Sequence, residues 1–564
     1  MTAPEAPLTR VRSRARTILR CAAWVAGTLV VAWLLFANLT LLRPPRDLAV
    51  APVHTLERDG RGTLHYGRSY ARRHGGVWEL GLAGDPVELG DSNARLMSDA
   101  MFRVESRMMA LFAHYVPSAF LRYVITTIVR AQHFRLDHNY PAERRDEIAA
   151  EARALAPTDP FASFLPTYHR MITLHALYDI SLSFEHSPLL GCTALFASGA
   201  SSRDGHTYVG RNFDMEIDPV FDTEKTVVLY RPHGRIPFAS VAWPGLTGVV
   251  TGMNLEGIFV AVHGARARSA STHGVPVPTT LRTVLERAHT LDEAVALVAH
   301  DAPMVSHLVF IVDGDHGTAA VVERAPGVRP FVRRLSRRGG LANHFVSPEL
   351  ANDPSNLAVR DHSSTLARQA RVDELVAADD GRFDAPTMLA ALRDHRGLGD
   401  RTLPWGHRGT MDAWIATHSV IADATDRVLW VSNGPHTLGS YERFDLRTLL
   451  ASEYEPETEV HGEALPADAA ALDGRYARWE RLHRALGEAE GLLGRRHADE
   501  ALACLDRARA EFAEPDMDAM HLRARVLGAL GRQEEAREAW RAWLLAEPPS
   551  PDERRAADVA RGAQ

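Results

Sequence analysis

The stretch "LLGCTALFASGASSRDGHTYVGRNFDM", residues Leu189–Met215, contains the features that decide the fold. Its segments "CTALFAS" and "HTYVGRNF" are typical of strands, and "SSRDG" between them predicts a hairpin turn in which Gly205, after Asp204, takes the positive φ. Cys192 stands directly after a glycine, at the head of the first strand. The stretch therefore predicts a β-hairpin that begins with a lone cysteine.

More strand-like segments follow the hairpin. They are "KTVVLYR", "FASVAW", "GVVTGMNLEGIFVAVHG" with a turn at Glu256-Gly257, "HLVFIVDGDHGTAAVVER" and "ATHSVIADATDRVLWVSNG". One helix, "TTLRTVLERAHTLDEAVALVAH", interrupts them, and residues 55–190 read as mostly helical apart from "GVWELGLAG". Helices and antiparallel strands in separate blocks predict a layered α+β fold rather than a doubly wound one.

Composition excludes several classes of protein. The chain has 564 residues and a net charge of -7 without a basic stripe, which predicts two or three domains and argues against a nucleic-acid partner. The cysteines Cys21, Cys192 and Cys504 form no CxxC pair, and the histidines show no HExxH spacing. We therefore predict no disulfide, no metal and no cofactor.

The N-terminal region predicts a membrane anchor. Cys21 to Leu42 carries no charge and is long enough to cross a bilayer, and more basic residues precede it (Arg10, Arg12, Arg14, Arg16 and Arg20) than follow it closely (Arg43 and Arg46). We predict a cytoplasmic basic tail at 1–16, a transmembrane signal anchor at 17–43, and a catalytic domain on the periplasmic or extracytoplasmic side of the cell membrane. A cleaved signal peptide is the alternative, but the apolar run is long for one and no A-x-A site ends it.

The last part of the chain, 470–564, predicts a helical tail. "RHADEALACLDRARAEF" and "HLRARVLGALGRQEEAREAWRAWLLAEP" resemble helix pairs of the tetratricopeptide (TPR) kind. Two such units are few for a free-standing solenoid, so we expect them to pack on the main domain, with Cys504 as a packed apolar residue. The tail is a candidate site for a protein partner.

The residue type alone favours a buried apolar role for Cys192. Its context points elsewhere, because "GCT", the hairpin and "GRNFD" resemble the N-terminal-nucleophile (Ntn) hydrolases of the acyl-coenzyme A:isopenicillin N acyltransferase family, and are similar to the choloylglycine hydrolase and acid ceramidase branches. The further motifs "TGMNLEG", "LANHFVSPEL", "SSTLAR", "THSVIAD" and "VLWVSNGP" follow in the family's order, so that the resemblance covers Gly76 to Pro435. It implies a four-layer αββα sandwich.

The resemblance also implies a chemistry for Cys192. Its thiol would attack, and its own α-amine, whose pKa lies at about 7.7–8.0, would accept the proton. Because 191 residues precede Cys192, that amine must be freed by autocatalytic cleavage of the Gly191–Cys192 bond. Residues 55–191 would then form the mostly helical α chain, and 192–460 the catalytic core at the start of the β chain.

Three further catalytic candidates follow from the resemblance. Asp214 would anchor the new α-amine, and Arg211 would lie against the thiol and favour the thiolate. The alternative for this pair is a plain ion pair at a strand end. Asn343 would donate its side-chain N–H to the oxyanion, or else be a turn asparagine that binds its own backbone. His344 beside it is assigned a packing role.

Four residues are candidates for substrate binding: Asn212, Asn254, His263 and Arg368. Asn254 fits a turn residue better than a catalyst, although it could line the pocket. Arg368 occupies the family's arginine position and is assigned a substrate or structural role. His263 departs from the family's pattern, which has asparagine there, so contacts with substrate at this edge are in doubt.

The predicted reaction is attack on an unstrained linear amide through an acyl-thioenzyme. Water as acceptor makes the protein an amidohydrolase, and an amine makes it an acyltransferase. The anchor favours a small N-acyl amide with a fatty chain as substrate. A catalytically inactive, membrane-tethered scaffold that uses its helical tail is the alternative, although the chain retains Cys192, Arg211, Asp214 and Asn343. A conventional cysteine peptidase would need a histidine partner that the sequence does not indicate.

Overall fold

The computed structural model describes residues 8–182, 191–268, 271–451, 456 and 462–555. Parts of several predictions lie outside the described residues: 1–7 of the basic tail, 183–190 before the predicted cleavage site, 269–270, 452–455 and 457–460 of the core, and 556–564 of the helical tail. The side chains of 8–19, which include most of the N-terminal arginines, also lie outside them.

The strands form two large sheets and a short ribbon. Sheet A has the order β1-β2-β3-β4-β7-β8-β9-β10-β11-β12-β13, sheet B the order β14-β5-β6-β17-β18-β19, and β15 pairs with β16. The strands are β1 Leu56–Arg58, β2 Leu64–Tyr66, β3 Ser69–His74, β4 Val77–Gly84, β5 Gly191–Gly199, β6 Gly205–Asp214, β7 Thr226–Pro232, β8 Phe238–Ala242, β9 Thr251–Asn254, β10 Ile258–Gly264, β11 His307–Asp313, β12 Thr318–Arg324, β13 Phe331–Ser336, β14 Arg338–Leu341, β15 Arg396–Gly397, β16 Arg401–Thr402, β17 Ala416–Asp423, β18 Val428–Ser432 and β19 Tyr441–Asp445.

The helices lie before, between and after these strands. They are α1 Leu8–Leu39, α2 Pro86–Tyr115, α3 Ala119–Gln132, α4 Ala142–Leu155, α5 Thr167–His175, α6 Leu177–Leu182, α7 Val220–Thr223, α8 Val277–Arg287, α9 Leu291–His300, α10 Pro354–His362, α11 Thr365–Ala378, α12 Ala385–Leu392, α13 Leu446–Leu449, α14 Ala469–Leu472, α15 Arg475–Gly494, α16 Ala498–Glu511, α17 Met517–Ala529 and α18 Gln533–Leu545.

Three hydrophobic cores relate the sheets to the helices. Sheets A and B pack face to face, where Phe196 of β5 meets Phe310 of β11 with ring centroids 6.0 Å apart. The other face of sheet A is covered by α2, α4, α5, α8 and α9, and the other face of sheet B by α11 and α12. The predicted α+β class is confirmed.

The structure differs from the prediction in two places. Residues 55–84 form four strands where only the last was predicted, because β1 and β2 have only three residues each and β3 contains two arginines instead of an apolar alternation. The helix predicted over residues 279–300 is two helices. Thr290 caps the second one by accepting a hydrogen bond from the N–H of Glu293, so the chain leaves α8 and starts α9 within three residues.

The described residues nearest to both ends of the chain are helical, as predicted. Arg20–Leu39 of α1 is long and apolar enough to cross a membrane and is not buried in the protein, so it could be an anchor or a signal sequence. In the tail, α15 packs on α16 and α17 on α18, and their shared core includes Trp414 and Leu438 of the main domain. Cys504 is buried in that core, as expected.

Candidate active site

Cys192 is the second residue of β5 and is completely buried. The register of the hairpin sets Cys192 opposite Phe213 and Gly191 opposite Asp214. Gly205 has a φ of 85°, which confirms the predicted turn. The local hairpin therefore brings "GC" against the end of "GRNFD", and residues from other elements complete the surroundings.

Arg211 lies against the thiol. Its Nη2 is 3.6 Å from Cys192 Sγ and also donates to the Val262 carbonyl, while Nη1 contacts the Thr251 hydroxyl and His418 Nε2. Burial raises the pKa of the Cys192 thiol, and Arg211 opposes this shift without overcoming it. In this uncut form the thiol is thus neutral, so it needs a base before it can act as a nucleophile.

Asn343 and Arg368 hold the backbone of Cys192. The Cys192 N–H donates to Asn343 Oδ1 at 2.8 Å, while Asn343 Nδ2 donates to the Gly264 carbonyl at 2.9 Å. Arg368, on α11, donates to the Cys192 carbonyl at 2.6 Å, to Thr193 Oγ1 at 2.8 Å and to Asn343 Oδ1 at 2.8 Å. These partners fix the orientation of the Asn343 amide. Since Gly264 takes only one of its two N–H protons, its role toward an oxyanion stays a prediction.

Asp214 is a buried carboxyl beside the predicted cleavage site. A Cβ at Gly191 would lie 3.1 Å from Asp214 Cβ, so only glycine fits there without displacing its neighbour. Burial raises the pKa of Asp214 from 3.8 to about 7, and Arg368 is the strongest influence in the other direction. The carboxyl can therefore change its charge near neutral pH, at the bond where cleavage is predicted.

Replacing Asp214 by asparagine should make stability less dependent on pH. Because folding raises its pKa, Asp214 favours the folded state most at low pH, and this contribution is lost as pH rises from about 4 to 7. The melting temperature of Asp214→Asn minus that of the parent should therefore grow between pH 4 and 7 and stay level above. Both chains would carry Cys192→Ala to keep them uncut. A difference that is constant across this range would contradict the shifted pKa.

His263 is fully buried in β10, and its ring lies beside the backbone of Cys192 and Ala342, which interact with the imidazole. Burial lowers its pKa well below 6.5, and the neighbouring charges of Arg211 and Arg368 lower it further. His263 is thus a neutral imidazole next to the backbone of Cys192.

Three other candidates have structural partners. Asn212 donates to the carbonyls of Leu392 and Met411 and accepts from Ser419, so its amide ties β6 to neighbouring segments. Asn254 is the turn residue that was expected: it receives the N–H groups of residues 256 and 258 and donates to the end of α8. His344 contacts Thr365.

The sequence missed part of the site. His418 and Thr251 lie in motifs that marked the family resemblance, "THSVIAD" and "TGMNLEG", but were not named as site residues. They contact the guanidinium of Arg211 from β17 and β9. Thr251 and His418 both lie near the start of a strand, β9 and β17, and this position could have marked them as site residues. That the two strands face the same space between the sheets is known only once the order of the strands is known.

An apolar cavity of 330 Å³ adjoins the site. Its wall includes Phe213, which is paired with Cys192, and Tyr178, whose pKa is raised by burial and then by the nearby Cys192 thiol. The rest is mostly methionine, leucine and aromatic side chains from α2, α5, α6 and the segment 243–250. Such a cavity suits a hydrocarbon group next to a reactive centre.

Groups able to hold a metal occur elsewhere in the described residues. Two clusters have suitable donor spacing: Asp85, Glu88 and His233, and His206, Asp423 and Asp426. Each includes exposed acidic groups, which commonly meet without an ion, and neither contains a predicted catalytic residue.

Fold and site together define an α+β protein of two packed sheets, with a cysteine-headed hairpin in the smaller one. Comparison with known families finds a match to acyl-coenzyme A:6-aminopenicillanic acid acyl-transferase over residues 201–406. The match confirms the predicted resemblance and agrees with the predicted class of enzyme, a hydrolase of linear amides or an N-acyltransferase. It includes Arg211, Asp214, Asn343 and Arg368 and starts after Cys192.

Solved structures show weaker similarity. The Caenorhabditis elegans ortholog of N-acylethanolamine-hydrolyzing acid amidase is 18% identical, with 42% of this chain and 93% of that one covered and a TM-score of 0.31. A variant of conjugated bile acid hydrolase from Clostridium perfringens is 13% identical, with 46% of this chain and 95% of that one covered and a TM-score of 0.32. Penicillin V acylase from Agrobacterium tumefaciens is 14% identical, with 49% of this chain and 99% of that one covered and a TM-score of 0.31. No curated protein matches the sequence.

Proposed function

We propose that the chain is a membrane-anchored cysteine amidohydrolase or N-acyltransferase of the Ntn kind, activated by cleavage between Gly191 and Cys192. The observation that carries this proposal is the set of contacts on Cys192: Arg211 on its thiol, Asn343 on its nitrogen and Arg368 on its carbonyl. Any buried backbone N–H or carbonyl needs a partner, but a cysteine that only fills space needs neither a guanidinium at its thiol nor amide and guanidinium side chains on its backbone.

Activation requires only atoms of the chain and one water. The Cys192 Sγ attacks the Gly191 carbonyl carbon, the C–N bond breaks, and the thiol proton goes to the leaving nitrogen. Gly191 is then held as a thioester. Water hydrolyses it, which leaves a carboxylate on Gly191 and both a thiol and an α-amine on Cys192.

The α-amine then serves as the base that the buried thiol lacks. It takes the thiol proton, the sulfur attacks the substrate amide, and the leaving amine receives the proton as the acyl-thioenzyme forms. Asn343 and Asp214 are in position to hold the amine, since one already accepts from the Cys192 nitrogen and the other pairs across from Gly191. Water or an amine then takes the acyl group.

The cavity beside Cys192 supports an N-acyl amide with an apolar acyl group as substrate. An anchor at Arg20–Leu39 would keep the enzyme near lipids of this type. We further propose that the two packed sheets with helices on both outer faces are the αββα sandwich of 55–191 and 192–460, and that 470–564 is a TPR-like tail able to bind a protein.

The test is the state of the purified protein. Intact mass and N-terminal sequencing should find two co-purifying chains, the larger starting Cys-Thr-Ala-Leu. That preparation should release amine from N-acyl amides and act more slowly as the acyl chain is shortened. A single uncut chain without amidase activity would remove the enzyme proposal and favour the tethered scaffold.

A further inference from the structure

The junction of α2 and α3 is an exposed apolar tip. The two helices meet at 113°, and residues 108–121, "MMALFAHYVPSAFL", contain no Asp, Glu, Lys or Arg. Tyr115 and Phe120 are each 75% exposed, and Leu121 and Tyr123 continue the patch. Large apolar side chains in one exposed group mark a contact surface more often than isolated ones do.

This tip lies beside the apolar helix α1. Trp33 donates its indole N–H to the Tyr123 hydroxyl at 2.9 Å, and Arg130 donates to the Thr40 hydroxyl at 3.2 Å and to the Ala37 carbonyl. Arg130 therefore contacts the C-terminal end of α1. Tyr123 contacts α1 at Trp33, six residues before its last residue Leu39, which is about 9 Å back along the helix axis at 1.5 Å per residue.

These two contacts give α3 a direction relative to the span. Going from Arg130 to Tyr123, α3 moves from the end of α1 toward the middle of its apolar stretch. Phe120 and the junction with α2 continue in the same direction. If α1 crosses the bilayer, the tip extends below the surface of the leaflet in which α1 ends.

Polar groups of the tip have hydrogen-bond partners within the tip, as a position inside the bilayer requires. Arg122 Nη1 donates to the carbonyls of Val116 and Pro117 at 2.7 and 2.9 Å, so both loop carbonyls have a donor within the tip. Ser118 caps α3 by accepting from the N–H of Leu121. A backbone group without a hydrogen-bond partner is strongly unfavourable in hydrocarbon, so these bonds lower the free-energy cost of inserting the tip into the bilayer.

We propose that residues 108–123 insert into the outer leaflet of the membrane as a second contact beside α1. The inference rests on the proposed anchor. Insertion of the tip holds the catalytic domain against the bilayer, whereas α1 alone would attach it at a single point. Met108, where the apolar run begins, also lines the cavity beside Cys192. The wall of the acyl cavity and the inserted tip are consecutive parts of α2.

Spin-label depth measurement tests this on the full chain in phosphatidylcholine–phosphatidylglycerol vesicles. Cys21→Ser, Cys192→Ala and Cys504→Ser remove the native thiols, and the label is placed at Phe120→Cys, with Tyr115→Cys as a second position should the first fail to fold. Leu29→Cys in α1 reports the bilayer interior, and Leu472→Cys, 77% exposed on the helical region, reports water.

We expect the label at Phe120 to be several-fold more accessible to dissolved oxygen, relative to an aqueous nickel chelate, than the label at Leu472. If Phe120 and Tyr115 behave like Leu472 while Leu29 is lipid-exposed, the anchor stands and the inserted tip is wrong. If Leu29 is also in water, the proposed anchor fails, and the inference fails with it.

Discussion

Cys192→Ala will leave the chain in one piece and abolish amide cleavage. Alanine has no sulfur to attack the Gly191 carbonyl, so the α-amine is never freed, and nucleophile and base are lost together. Removal of a catalytic nucleophile commonly lowers kcat by roughly 10⁴- to 10⁶-fold. Because the cysteine is completely buried and similar to alanine in size, the fold should survive. Intact mass and amine release from an N-acyl amide measure both effects.

Cys504→Ala is the matched control. Cys504 is also buried, with its sulfur 3.6 Å from the Ala485 carbonyl, but it lies in the helical tail. We expect the control to be cut and active like the parent. Two chains in Cys192→Ala would mean that another agent cuts the bond, which would falsify autoproteolysis. Full activity in an uncut Cys192→Ala chain would remove Cys192 from the mechanism altogether.

The sequence predicts the hairpin and its cysteine because these depend on neighbouring residues. A run of strand formers, a turn glycine and a second run fix the register, and the register alone puts Gly191 opposite Asp214. Arg211 follows from the same strand pair. These features need no knowledge of the rest of the chain, and the resemblance supplied the chemistry that they suggest.

The other half of the site depends on distant segments. Arg368 reaches Cys192 from a helix 176 positions away in sequence, and His263 becomes buried because β10 faces the gap between the sheets. The parallel pairing of β4 with β7 likewise joins segments that local patterns do not relate. The sequence named Arg368 and His263, but it could not show that Arg368 holds the backbone of Cys192 and that His263 is neutral.

Because the buried thiol is neutral, it needs a base, and this is a physical reason for the use of the α-amine in the proposed mechanism. Arg211 and Arg368 both favour the thiolate, yet burial outweighs them and raises the pKa of Cys192. His263, which could otherwise serve as a base, has its own pKa lowered by the same arginines. Two buried cations thus discourage a cysteine–histidine pair at this site, and an amine created on Cys192 itself is the base that the arrangement favours.

Arg368→Gln should reduce activity by about 100-fold or more while the chain still folds. Its guanidinium is the donor for three buried acceptors, the Cys192 carbonyl, Thr193 Oγ1 and Asn343 Oδ1, and an unsatisfied buried acceptor costs about 1–3 kcal/mol. A glutamine cannot reach all three, so the Cys192 backbone and the Asn343 amide lose their fixed positions. We therefore expect kcat to fall with KM nearly unchanged, and slower cleavage after Gly191.

The control is Arg371→Gln, one turn along α11. Arg371 is also buried and pairs with Asp394 at 2.6 Å and Asp400 at 2.8 Å, away from Cys192. Both variants should lower the melting temperature, but only Arg368→Gln should lower kcat. It should also move the acid limb of the pH profile upward, because Arg368 is the main charge that lowers the pKa of Asp214. Equal kcat losses in the two variants would reduce Arg368 to a general stabilising residue, whereas partial recovery in Arg368→Lys would show that a cation at this point positions the nucleophile.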